Sequence, residues 1–188
     1  YNVVVGDEAG TAITTGDSNI GVGKSALSSN TTASNNTAVG KDALKANTTG
    51  EASTALGSLA LDANTTGGFN TGLGVHALGG NTTASYNTAV GWSSLKANTT
   101  ASNTTAVGYN SLGANTTGTS NTAVGDVSAT SNTTGSNLAA FGRYALYSNT
   151  TGANNTGVGF QSLFGNTTAS NNTAVGYASL GANTTGTE

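Results

Sequence analysis

Cysteine is absent from this chain of 188 residues, which excludes disulfides and thiol chemistry and leaves no trace of a redox compartment. Charge is scarce as well. Asp, Glu, Lys and Arg together make up 7% of the residues and the formal net charge is −3, so there is neither the basic footprint that nucleic acid requires nor a basic face for a membrane surface. No apolar run approaches the roughly 20 residues needed to span a bilayer, and no stretch resembles a signal peptide. There is one histidine. His76 has no Cys or acidic cluster accompanying it in the sequence, which points to neither a metal site nor a catalytic base.

What the chain has instead is a period. Gly6, Gly23, Gly40, Gly57, Gly74, Gly91, Gly108, Gly125, Gly142, Gly159 and Gly176 are spaced by 17 residues without insertion or deletion. A fixed period of this size predicts a solenoid in which each copy is one coil stacked on the next. Much Asn, Thr, Gly and Ala with little charge would otherwise suit a disordered low-complexity segment. The strict spacing of Val and Leu argues against that. The whole of 1–188 therefore reads as a single repeat array. It stops in register without a distinct cap, and is expected to be a segment of a longer fibrous protein.

Numbering each coil from one to seventeen from Tyr1 exposes columns. Column five is apolar throughout, mostly Val, and its β-branching suits an inward-facing strand residue. Column three, mostly Thr with Val3, Ile20 and Ala139, should point the same way by period-two alternation. Column four is Gly or Ala after Val4, so something crowds the opposite face. A neighbouring subunit or a second layer of the same coil would each explain that. Columns seven and eight vary freely and should face solvent. Column ten is Leu in nine coils and reads as a second inward strand. Columns thirteen to sixteen are Asn-Thr-Thr-Gly or Asn-Thr-Thr-Ala in ten coils, a corner whose asparagines tolerate left-handed angles and can stack as amide ladders.

These columns predict an all-β parallel β-solenoid, a roll or helix of eleven 17-residue coils about 50 Å long at about 4.8 Å per layer. One Val and one Leu per coil cannot offset the ordering of seventeen residues. Ladders between coils must contribute, and burial between chains would help, most economically with the Gly/Ala face against a partner. A homo-oligomer is expected.

The segments Asn-Thr-Ala-Val-Gly at 36–40, 87–91, 121–125 and 172–176, each followed by Ala or Ser, resemble the YadA-like head repeats of trimeric autotransporter adhesins. The fuller pattern Asn-Thr-Ala-x-Gly, Ala-Leu, Asn-Thr-Thr-Gly is similar to the arrays of bacterial and phage tail-fibre-like proteins. The resemblance covers nearly the whole chain. It implies a trimeric β-roll on a cell or virion surface, extracellular, serving as adhesin head or fibre shaft. The coil of 17 residues is longer than is usual for the adhesin heads.

Gly21-Val22-Gly23-Lys24-Ser25 suggests a phosphate loop, but the first glycine of that motif would have to stand where Ser18 is, and Gly21 and Gly23 are repeat columns. The acidic residues are scattered without pairing or a calcium-roll pattern. Neither a catalytic constellation nor a cofactor site emerges. A non-enzymatic structural role follows, with recognition of carbohydrate or ice by exposed aromatic or Thr columns as its alternative. Trp92, Tyr109, Phe160 and Tyr177 share column seven and form a candidate row for sugars, including cell-surface glycans, or for packing. Asn30, Asn47, Asn64, Asn81, Asn98, Asn115, Asn132, Asn149, Asn166 and Asn183 head Asn-x-Thr sequons and, with Asn35, Asn103, Asn154 and Asn171, are candidate glycan acceptors. An ice-binding face would need two Thr columns two residues apart on one side of a flat strand. Neighbours such as Thr48 and Thr49 would instead point in opposite directions.

Overall fold

The computed structural model describes residues 1–186. Eleven three-residue strands, from β1 (Val3–Val5) to β11 (Thr173–Val175), form one parallel sheet in sequence order. Each strand pairs with the next in a constant 17-residue register, Thr37 opposite Thr54 and Val39 opposite Leu56. No helix occurs among the described residues. The chain is a β-solenoid of about ten turns.

Backbone hydrogen bonds between coils run all round the perimeter, not only along the strands. Around the third coil, Thr37 N donates to Ser53 O (2.9 Å), Leu44 N to Ala60 O (3.0 Å), Ala46 N to Asp62 O (3.0 Å) and Thr48 N to Thr65 O (2.9 Å). Irregular backbone is therefore satisfied layer to layer, the accounting that any buried loop must meet.

The strand is turned over relative to the sequence expectation. Column four lies inside: Ala38, Ala55, Ala89, Ala106 and Ala140 are fully buried. Columns three and five project outward, with Leu56 still 45% and Phe141 40% exposed. The reason is space. The roll is thin, and its other wall is the column of leucines, fully buried from Leu27 to Leu163. A Cβ placed on Gly72 would sit 3.4 Å from Leu61 Cδ1, and one on Gly21 3.4 Å from Leu27 Cδ1. Only hydrogen or methyl fits between sheet and leucines, so alternation sends Thr and Val out. The crowding of column four comes from the second layer of its own coil, and the Gly/Ala face is not available to a partner.

The expected second strand is also absent. Columns seven to twelve form consecutive turns, with positive φ at column eight (His76, 59°; Val127, 48°) and column ten (Leu44, 49°; Leu146, 52°). Two left-handed residues two apart bend the segment so that Leu of column ten enters the core beside the buried Ala or Ser of column nine, as at Ala43 and Leu44. Left-handed backbone costs an L-residue roughly 1–2 kcal/mol, and more for a β-branched one. Val127 is the strained case. Val127→Asn places in column eight a residue that tolerates this angle, as Asn110 does at 50°. It should raise stability by about 1 kcal/mol, read as a higher midpoint in chemical denaturation, and an unchanged or lower midpoint would contradict the strain assigned to Val127.

Candidate functional site

Four lateral surfaces can meet a ligand or partner, and the columns define them. The first is the sheet face, columns three and five. Its 22 positions hold only Thr, Val, Ile, Leu, Ala and Phe, with no charge. Val22, Leu56, Leu73, Phe141 and Val158 are exposed along it and Val39, Val90, Val107 and Val124 half-buried. A strip about 50 Å long, with its two columns about 7 Å apart, is apolar at one edge and Thr-lined at the other.

The second is the turn limb, columns seven, eight and eleven. Its early coils are charged: Lys24 Nζ lies 3.1 Å from Asp7, Ser25 Oγ donates to Glu8 (2.8 Å), and Lys45 Nζ lies 3.2 Å from the buried Asp42. The hydrogen bond to Asp7 raises the Lys24 pKa. Burial pushes the Asp62 carboxyl up. Lys24 with Asp7 and Ser25 with Glu8 pair between layers and Lys45 with Asp42 within one coil, and among the described residues no group of three His, Cys, Asp or Glu could hold a metal. Lys24 and Ser25 follow a bend rather than opening a helix, so the phosphate-loop reading lacks its structural context. Column eight is less free than the sequence suggested, since Ser25, Asp42 and Ser93 are buried.

The later coils of this limb carry the aromatics. Trp92 stacks on Tyr109 with centroids 5.0 Å apart and planes at 9°, and Phe160 on Tyr177 at 5.5 Å and 14°. Tyr144 meets Tyr147, Phe160 and Phe164 edge-on, while Arg143, bonded to Asp126 at 3.0 Å, covers the Tyr144 ring at 4.5 Å. The four candidate recognition residues thus form two separate pairs rather than one row. Their rings face each other and present edges outward, which favours packing between layers over a flat platform for a sugar. Phe69 and Tyr86, stacked at 5.2 Å, form a further pair at column one that the column-seven reading missed.

The third surface is the Asn-Thr-Thr corner. Its asparagines are buried from Asn30 to Asn166, and each amide is engaged twice: Asn64 Nδ2 donates to Asn47 Oδ1 (2.9 Å) and to Gly67 O (2.9 Å). The expected amide ladder is present in every coil from Asn30 to Asn183. From Asn47 to Asn166 the Nδ2 that would carry a glycan is thus buried and doubly bonded within the turn of the folded coil. Asn35, Asn103, Asn154 and Asn171 are exposed. A second ladder lies in column two, where Asn19 Oδ1 accepts from Asn36 N (2.9 Å) and Asn36 Nδ2 donates to the same Gly50 O that Asn47 serves. Sequence reasoning overlooked it, although the recurrence of Asn at column two was visible.

Of the paired threonines, the first is committed to structure, Thr48 Oγ1 donating to Thr65 O (3.0 Å). The second, Thr49 and its equivalents, is exposed and forms the fourth surface, an outer row of hydroxyls and methyls in all eleven coils. The chain matches no protein-family model, and no curated protein and no solved structure is similar to it.

Proposed function

We propose that this chain is a non-enzymatic structural segment of an extracellular fibre or adhesin, a surface appendage or tail-fibre shaft, assembled as a parallel homotrimer through its sheet face. The observation that carries the reading is the outward column of Val, Leu and Phe along an uncharged strip. Exposed, it would be an aggregation hazard; covered by copies of itself, it supplies the burial that a thin coil lacks. The resemblance to adhesin-head and tail-fibre repeats agrees with that assembly and supplies the surface location. Length and stiffness would then be the function, with the variable turn limb free to diverge.

Sedimentation equilibrium tests this directly. The chain should run at three times its 18.2 kDa mass, and Val90→Lys with Val107→Lys and Val124→Lys should reduce it to a monomer that keeps its β-type circular dichroism. A wild-type chain that stays monomeric at micromolar concentration overturns the reading.

The exposed Thr49 row favours a second reading, recognition of ice or of a glycan by a surface column. Thermal hysteresis by the purified protein would support the ice form. Loss of glycan binding in Trp92→Ser with Tyr109→Ser would support the aromatic form, whereas a shaft tolerates both changes.

A further inference from the structure

An array of near-identical rungs has a weakness if it associates with itself. Sliding one copy past another by one coil, about 4.8 Å, recreates almost every contact and loses only one rung at each end. The ninth coil breaks this degeneracy. Beyond Val3 and Ile20 in the first two rungs, its strand β9 (Ala139–Phe141) carries the only departures from the pattern of the sheet face, Ala in place of Thr at column three and Phe in place of Val or Leu at column five. Ala139 is the smallest residue in its column and Phe141 the largest in its own.

On a face open to water nothing would couple these two changes. Side chains two apart on one side of a strand stand about 7 Å from each other, and an outward Phe has solvent to swing into, so it needs no room made by an Ala in its own chain. Against an opposing surface at fixed separation the coupling is required: a ring added at one column needs a volume removed at the other. β9 keeps its register with the Thr122, Val124 strand on one side and the Thr156, Val158 strand on the other, so the coil itself is not displaced to make the space.

We propose that Ala139 and Phe141 are a hole and a knob that set the axial register between parallel copies of this chain. The inference rests on the self-association proposed above. In register, Phe141 of one copy sits over Ala139 of another. Displaced by one coil, it meets Thr122 and Val124 or Thr156 and Val158, where no hole exists.

The test mixes chains carrying Val107→Cys with chains carrying Thr105→Cys or Thr122→Cys, refolded together and oxidised, with and without Ala139→Thr plus Phe141→Val. That double change restores the commonest rung of the array and should fold at least as well. Oligomer mass is measured in parallel. In the wild-type background the in-register 107–105 disulfide should dominate over the 107–122 disulfide of a one-coil slip. In the restored-rung background the mass should stay the same while the 107–122 product rises severalfold. An unchanged oligomer with an unchanged 107–122 product overturns the register proposal and leaves self-association standing. An oligomer with no 107–105 product in the wild type overturns parallel in-register packing. A monomeric wild-type chain removes both.

Discussion

Gly91→Ala is expected to cost about 3–5 kcal/mol, whereas the same change at Gly176 should cost about 1–3 kcal/mol. Both glycines hold a φ near +120 to +130° (Gly91 at 128°, Gly176 at 120°), outside the left-handed helical well that L-residues can enter. The difference lies in the layer beyond. A Cβ on Gly91 would stand 2.4 Å from Gly108 O and 2.7 Å from Gly108 C, while a Cβ on Gly176 has nothing within 4 Å. Relief of the clash at Gly91 requires coils to separate where Gly108 N donates to Val90 O (2.8 Å) and Gly91 N to Leu73 O (2.8 Å). Chemical denaturation of the two variants separates strain, common to both, from clash, present only in the interior. Equal losses would mean that backbone angle alone fixes the column.

That contrast explains why some columns were legible in the sequence and others were not. Column six admits only Gly because both its angle and its neighbours exclude a Cβ, so eleven identical residues announced the bend. Columns one, eight and ten sit near +50 to +60° and accept Ser, Asn, His and even Leu, as at Leu95 (50°). Their left-handed turns left no glycine signature, and Leu in column ten passed for a strand. The Asn ladder was legible because burial with two donors and one acceptor per rung suits an amide better than any other side chain. The orientation of the strand was not. β-Branched Val39 and its equivalents carry the usual mark of a core residue, and only the thinness of the roll, set by the leucine wall facing Gly72, forces them out. In the assembly proposed above, this column, core-like in composition yet facing outward, would complete its burial against another chain.

Asn98→Asp should destabilise the array by about 3–5 kcal/mol at neutral pH and recover much of that loss in acid. Asn98 Nδ2 donates to Asn81 Oδ1 (2.9 Å) and to Ala101 O (3.0 Å), and its Oδ1 accepts from Asn115 Nδ2 (3.2 Å). A carboxylate keeps the last contact and replaces the first two with an anion against two acceptors, fully buried among neighbours that carry no compensating charge. Burial and those acceptors raise the folded-state pKa above the unfolded carboxyl's value of about 3.9. The sign follows from that direction: below the unfolded pKa the acid is neutral in both states and can donate one hydrogen bond, so the penalty is smallest. As pH rises the unfolded chain ionises first and stability falls until the folded-state pKa is passed. Wild type, which lacks this group, should show no such slope relative to its variant. Asn183→Asp at the open end, where the side chain is only partly buried, supplies the control and should lose little. Denaturant midpoints at pH 3 and pH 7 decide the matter. A pH-independent penalty at Asn98 would mean that the ladder tolerates an acceptor in a donor's place and that the asparagines are retained for turn geometry alone. The column-two ladder already contains two natural interruptions, at Thr104, whose hydroxyl turns to Ser102 O, and at Leu138, which offers no oxygen to Asn155 N; the array continues through both beside the column-thirteen ladder, which is unbroken from Asn30 to Asn183.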